Sequence, residues 1–293
     1  MSNRSVGIIF KHHHDPARKE AEKLGDWFRK RGITVHSEEM GAEESPDNLG
    51  KKASAIPDTV TWVVVLGGDG TMLGAARMLG RYGLPILGVN LGGLGFLTGI
   101  PLDHLYPVIE MMINGKLEVE TRGMLENRVV REGSEIIRFP VLNDVVINKR
   151  TLARIIDLDV TINEEFLTTF RADGLIIATP TGSTAYNLSA GGPILYPTME
   201  TFILTPICPF TLTNRPIIIP NTDIVRIRLG KRSNESVVLT FDGQVGLDFH
   251  AGDELIISRS EEKIRLLTLP GHSYFEILRT KLMWGGATYG SPC

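Results

Sequence analysis

Cysteine is scarce: the 293 residues hold two, Cys208 and Cys293. Two thiols make neither a disulfide framework nor a zinc pattern, which favours a reducing, cytoplasmic setting. Long apolar runs are absent too. The most apolar long stretch, 202–219, is broken by Pro206, Pro209, Asn214, Arg215 and Pro216, so no membrane span is expected. The opening MSNRSVGIIFKHHHD lacks the apolar core and small-residue cleavage site of a secretory leader. Charge of one sign is missing as well. Thirty-one Lys and Arg against 34 Asp and Glu leave a net charge of −3, which exerts no pull toward nucleic acid or an anionic membrane. Neither G-x-x-x-x-G-K-[ST] nor G-x-G-x-x-G after a strand occurs. A P-loop NTPase is thereby excluded and a Rossmann dehydrogenase disfavoured.

What is present is a folding composition, 42% hydrophobic and 22% charged, at a length that suits about two domains. Glycine stands out: 31 residues, eleven of them between Gly67 and Gly99. Up to about residue 116, strand-like and helix-like patterns alternate. Val6–Phe10, Ile33–His36, Thr61–Leu66 and Pro85–Asn90 read as strands. Asp15 reads as a cap with Pro16 at the first helical position, and Ala17, Ala21, Leu24 and Phe28 share one face. Thr71–Tyr82 and Pro101–Asn114 read as further helices, and Glu38–Pro46 as an acidic loop. This rhythm predicts an α/β domain over 1–116 with a mostly parallel sheet. From 117 to 269, short β-rich segments follow every ten or so residues, from Leu125–Val130 to Leu255–Ile257 and Ile264–Thr268. They predict an all-β, sandwich-like second domain. The tail, 270–293, contains a helical Tyr274–Leu282 and is expected to return to the first domain.

Three segments carry chemistry. In VVVLGGDGTML, 63–73, a buried strand runs into Gly67, Gly68, Asp69, Gly70 and Thr71, then into a helix. Bare backbone beside a helix N-terminus accommodates phosphate. Asp69 repels phosphate, so it fits a proton acceptor, a hydroxyl-binding group or a magnesium contact. The plainer reading is a tight turn with an Asp cap. In VNLGGLGFLT, 89–98, Gly92, Gly93 and Gly95 form a loop at the same sheet end if the strands are parallel; a simple connector is the alternative. RADGLIIATPTGSTAYNLSAGGP, 171–193, gathers hydroxyls, an aromatic and close-approach glycines. That mixture suits a sugar or nucleoside, against the plainer reading of a polar helix N-terminus.

Taken together with Asn143-Asp144 in VLNDVVI, these segments resemble the bacterial NAD kinase family across about 65–245. GGDGT alone also resembles diacylglycerol and sphingosine kinases; the 173–193 segment separates them. The resemblance implies an NAD kinase/diacylglycerol kinase-like fold and ATP-dependent phosphorylation of the adenosine ribose 2′-hydroxyl of NAD. It implies Asp69 as proton acceptor with Gly70 beside NAD. It also implies NAD contacts at Asn143, Asp144, Arg154, Arg171, Asp173, Thr184, Ala185, Tyr186, Asn187, Leu188, Ser189 and Gln244. Many members carry Glu where this chain has Asp144. Mg²⁺ or another divalent ion would accompany ATP, and a homo-oligomer would share sites between subunits. A GGDGT-type lipid or small-molecule kinase and a non-catalytic nucleotide-binding regulator are the competing readings. His12-His13-His14 reads as a solvated loop because no second ligand group is in view. Lys149-Arg150 and Arg226–Arg232 read as exposed strand faces, Cys208 as a core residue, and Trp27 and Trp62 as packing residues.

Overall fold

The computed structural model describes residues 4–41, 54–93, 95–150, 155–211, 213–230 and 237–284. They divide into two compact units. One comprises the described residues of Met1–Met40, Ser54–Thr121 and Ile264–Cys293, the other those of Gly41–Ala53 and Arg122–Lys263.

The first unit contains β1 (Ser5–Phe10), α1 (Asp15–Arg29), β2 (Thr34–Glu39), β3 (Trp62–Gly67), α2 (Asp69–Leu79), β4 (Pro85–Asn90), β5 (Ile100–Pro101) and α3 (Leu105–Ile113). β1 lies between β2 and β3, β4 follows β3, and every pairing is parallel. The resulting order 2-1-3-4 switches direction between β1 and β3, where the carboxyl ends of parallel strands form a ligand crevice. Ala21, Leu24 and Phe28 of α1 and Val108, Ile109 and Met112 of α3 pack with Val6, Ile8, Val64 and Leu66. Ile9, Val63 and Val65, which point the other way, are buried as well. Continuous apolar runs are what a sheet covered on both faces requires.

Several boundaries differ from the sequence expectation. α1 is capped by His14, whose Nδ1 accepts the Ala17 N–H at 3.1 Å, and Asp15 is already helical. α2 starts at Asp69, and residues 80–82 tighten into a 3₁₀ turn. Glu38 and Glu39 also extend β2 instead of opening a loop.

The second unit contains most of β6 (Glu118–Arg131), β7 (Ser134–Val141), β8 (Asp144–Lys149), β9 (Ile156–Ile162), β10 (Glu165–Ala172), β11 (Gly174–Ala178), α4 (Tyr186–Ser189), β12 (Thr201–Ile207), β13 (Ile217–Pro220), β14 (Val225–Leu229), β15 (Val237–Phe241), β16 (Val245–Phe249) and most of β17 (Glu254–Thr268). α5 (Tyr274–Leu282) follows β17. One antiparallel sheet runs β13-β12-β11-β8-β15-β16. β10, β9, β14 and the first part of β17 form a second antiparallel ladder, and β6 pairs with β7. Alternate residues of both ladders meet in one core: Leu158, Val160, Ile227 and Leu255 from one side, Ile147, Ile177, Leu204 and Leu239 from the other. This is a β-sandwich.

The two short segments expected at 255–257 and 264–268 are a single strand, β17. β12 is not among the expected strands, and it carries Pro206, a residue disfavoured in a central strand. Its partner β13 pairs only with residues 201–204, so Pro206 lies where that side of the ladder has ended. Cys208 is exposed at the end of β12 with φ +45°, not part of the core. Phe139 and Phe241 meet edge to face inside the sandwich, with centroids 5.4 Å apart. Phe139 is 1% exposed, so Phe139→Ala should lower unfolding free energy by about 3–5 kcal/mol. Urea denaturation checks this; a loss under about 1 kcal/mol would contradict the packing described.

Candidate active site

β3 delivers Gly67 and Gly68 to the carboxyl edge of the first sheet. Gly68 caps α2 through extended backbone, and no side chain caps the helix. The Asp69 carboxylate turns instead to the loop after β4. Its Oδ1 accepts the N–H groups of Leu97 and Thr98 at 3.0 and 3.1 Å and the Thr98 hydroxyl at 3.0 Å. Among the described residues, its Oδ2 accepts the Phe96 N–H, at 2.8 Å. One oxygen is saturated, and the other keeps room for an incoming hydroxyl.

Asn90 shapes that loop. Its Nδ2 donates to the Gly93 carbonyl at 2.7 Å and to Thr98 Oγ1 at 2.9 Å, and its Oδ1 accepts the Gly92 N–H at 2.6 Å. A Cβ on Gly95 would overlap Asp69 Oδ1 and Thr98 Oγ1, so only glycine lets the loop close on the carboxylate. Gly68 and Gly93 border open space, whereas Thr71 is buried against Gly67. The sequence reading missed Asn90, Phe96 and Thr98; an Asn ending a buried strand just before a glycine loop was the available signal.

In the second unit, a cavity of about 320 Å³ opens on the face of β8 and β15 turned away from the sandwich core. It is lined by Asn143, Asp144, Val146, Asn148, Ala185, Tyr186, Thr240, Asp242 and Gly243. Asp242 sits in the turn between β15 and β16 with φ +50°. Its Oδ1 accepts the N–H groups of Asn143 and Asp144 at 2.7 and 3.3 Å, and its Oδ2 that of Leu142 at 3.3 Å. Asp144 is 4% exposed. Burial, aided by the Asp242 charge, pushes its carboxyl up to about 7. Such a group donates a hydrogen bond when protonated and accepts when ionised, which suits a ligand rich in hydroxyls. Asp242 and β16 escaped the sequence reading, although Asp-Gly between two alternating runs is a hairpin signal.

The 179–195 segment is tied to this pocket. Thr179 donates its hydroxyl to the Leu142 carbonyl at 2.6 Å and its N–H to that of Asn143 at 2.9 Å. A Cβ on Gly182 would overlap the Asn143 carbonyl. Asn187 is fully buried, and its amide is engaged structurally. It donates to Ser183 O and Pro193 O at 3.0 and 3.1 Å, and it accepts from Thr205 at 2.6 Å. Tyr186 stands 43% exposed at the rim. Thr184 and Leu188 are half-buried, and Ser189 is exposed.

Other named positions lie apart. Asp173 forms an ion pair with Lys149 at 2.6 Å, near the end of β8 opposite Asp144. Arg171 is exposed, 3.4 Å from Asp157 and 5.1 Å from the centre of the Phe210 ring. Gln244 closes the β15–β16 turn through its N–H to Phe241 O at 3.0 Å. Arg154 falls outside the described residues.

Fold and site together define a phosphotransferase of the NAD kinase/diacylglycerol kinase-like type. Residues 6–117 match the ATP-NAD kinase N-terminal domain and 142–269 the ATP-NAD kinase C-terminal domain. The NAD kinase of Solibacter usitatus is 45% identical over 282 residues, spanning 96% of this chain and 98% of its own. That of Geobacter sp. strain M21 is 49% identical over 285 residues, spanning 96% and 99%. A solved structure of yeast NADH kinase complexed with NADH superposes with a TM-score of 0.84 at 25% identity, covering 100% of this chain and 91% of that one. The chain belongs to the ATP-NAD kinase family.

The Asp144 carboxyl has a stability signature. Its folded value of about 7 lies above its ordinary 3.8. Its contribution is therefore fully present below the ordinary value and is lost as pH rises through about 7. Asp144→Asn removes the ionisation while keeping the shape. Its unfolding free energy relative to the native chain should be higher at pH 8 than at pH 5 by on the order of 2 kcal/mol. Urea unfolding at both pH values decides; a pH-independent difference would overturn the assignment.

Proposed function

We propose that the chain transfers the γ-phosphoryl group of ATP, supplied as its Mg²⁺ complex, to the 2′-hydroxyl of the adenosine ribose of NAD. The hydroxyl oxygen bonds to the γ-phosphorus, the bond to the β-phosphate oxygen breaks, and ADP leaves. The hydroxyl proton passes to Asp69 Oδ2. Family membership supports the reaction class. The observation that carries the assignment of roles is the clamp on Asp69, which leaves one carboxylate oxygen open and fixed in direction. Phosphoryl transfer demands alignment more than early proton removal. A carboxylate held by four donors is built for alignment.

In this reading the glycine loops of the first unit take the phosphates. The cavity bounded by Asn143, Asp144 and Tyr186 suits a nucleoside of NAD, with the base against the tyrosine. The setting is the cytoplasm. Among the described residues, no helix is long and apolar enough to cross a membrane. Asp69→Asn should cut NADP formation from NAD and Mg-ATP by about 10²–10⁴-fold, with NAD binding retained within a few-fold. Turnover near that of the native chain would remove the acceptor role. Running NADH in parallel defines which redox form is used.

Arg171 and Asp173, set at the far end of β8 and β11 from Asp144, fit a role toward NAD held by a second copy of the chain. Mixed oligomers of Asp69→Asn and Arg171→Ala, each weak alone, would then contain sites with both residues intact. Co-refolding should restore NADP formation; a mixture no more active than its components would exclude shared sites.

A further inference from the structure

A second cluster of ligating groups lies in the first unit, at the carboxyl end of β1. The chain turns there at His12-His13, with His13 at φ +47°. The turn lays the two imidazoles side by side, ring centres 3.7 Å apart. β2 runs parallel to β1 with Glu39 opposite Phe10, which brings a carboxylate to the same edge. Glu39 Oε1 accepts the His13 N–H at 3.0 Å and lies 3.2 Å from His12 Nδ1. Arg18 holds the other oxygen, Oε2, at 3.0 Å. One ligand atom from each of His12, His13 and Glu39 falls within 4.8 Å of the others.

A simple histidine–carboxylate pair does not account for this arrangement. His12 Nδ1 is buried and makes no hydrogen bond, so it sits at hydrogen-bond distance from Glu39 without hydrogen-bond alignment. With ligand bonds of about 2.0–2.1 Å at a tetrahedral ion, neighbouring ligand atoms stand about 3.3 Å apart. The 3.2 Å between His12 Nδ1 and Glu39 Oε1 matches one such edge.

We propose that His12, His13 and Glu39 bind one divalent ion of the zinc, cobalt or nickel class, with water completing the coordination. Two imidazoles favour these ions over Mg²⁺ and Ca²⁺, which take oxygen ligands. Arg18 orients the carboxylate from its far oxygen, as partners of metal ligands commonly do. His14 is not a ligand, because its Nδ1 caps α1. The ligand group that the sequence reading found wanting is supplied 26 residues away by Glu39.

The test is a titration of the untagged, chelator-treated full chain with Co²⁺ alone at pH 7.5, read by visible ligand-field absorption. One ion per chain is expected, displaced by Zn²⁺ and not by Mg²⁺. Glu39→Gln should weaken Co²⁺ binding at least tenfold, and the double variant H12A/H13A should abolish it. Failure to bind Co²⁺ one-to-one overturns the proposal. So does unchanged affinity in Glu39→Gln, which would mean that contiguous histidines chelate unaided. Should Glu39→Gln not fold, His13→Ala, at an exposed turn, must show the tenfold loss; native affinity there also overturns the proposal.

Discussion

The carboxyl edge of the first unit's sheet depends on one carboxylate. Asp69 gathers the Phe96, Leu97 and Thr98 N–H groups and the Thr98 hydroxyl, and so pins the loop after β4 to the turn after β3. Two consequences follow. α2 is left without a side-chain cap, so its N-terminal end is available to an anion. The carboxylate also becomes rigid, since any rotation breaks several bonds at once. Had Asp69 capped its own helix, the plainer reading of GGDG, neither property would exist.

The second unit uses the same device at a different cost. Asp242 is held by the backbone N–H groups of Leu142, Asn143 and Asp144, which offset its charge. Asp144, almost fully buried beside it, ionises only near neutrality. A buried carboxyl beside one whose oxygens are held by backbone N–H groups can donate to or accept from vicinal hydroxyls. The pocket lies on the side of β8 and β15 that does not build the sandwich core. Along each strand, odd positions such as Val145, Ile147 and Leu239 stabilise the fold, and the even ones, Asp144, Val146, Asn148 and Thr240, are left to line the cavity. A sheet's two-residue period thus divides stability from binding within the same strand.

Local pattern carried much of this in the sequence. β4 and α5 appear with the expected bounds, and the strand–GGDG–helix junction is where the apolar run and the glycines place it. Those features depend on residues within a few positions of one another. β12 has no counterpart among the expected strands, and it tolerates Pro206 because β13 pairs only with residues 201–204. Cys208 looked like core because its neighbours are apolar; a left-handed backbone at the strand's end turns it outward.

By itself, the sequence determined the two architectures and the family through its ordered motifs, since both are written in short segments. Only the tertiary structure decided which residues meet. Asp69 finds its donors 27–29 positions on, and Asp242 reaches back 98–100 positions. Glu39 meets His12 and His13 through the register of β1 against β2. It also placed Asn187 inside the scaffold and Arg171 away from the Asp144 pocket. Strand order and register set these meetings, and both arise from burying whole faces of sheets, a property of the assembled core that no single segment contains.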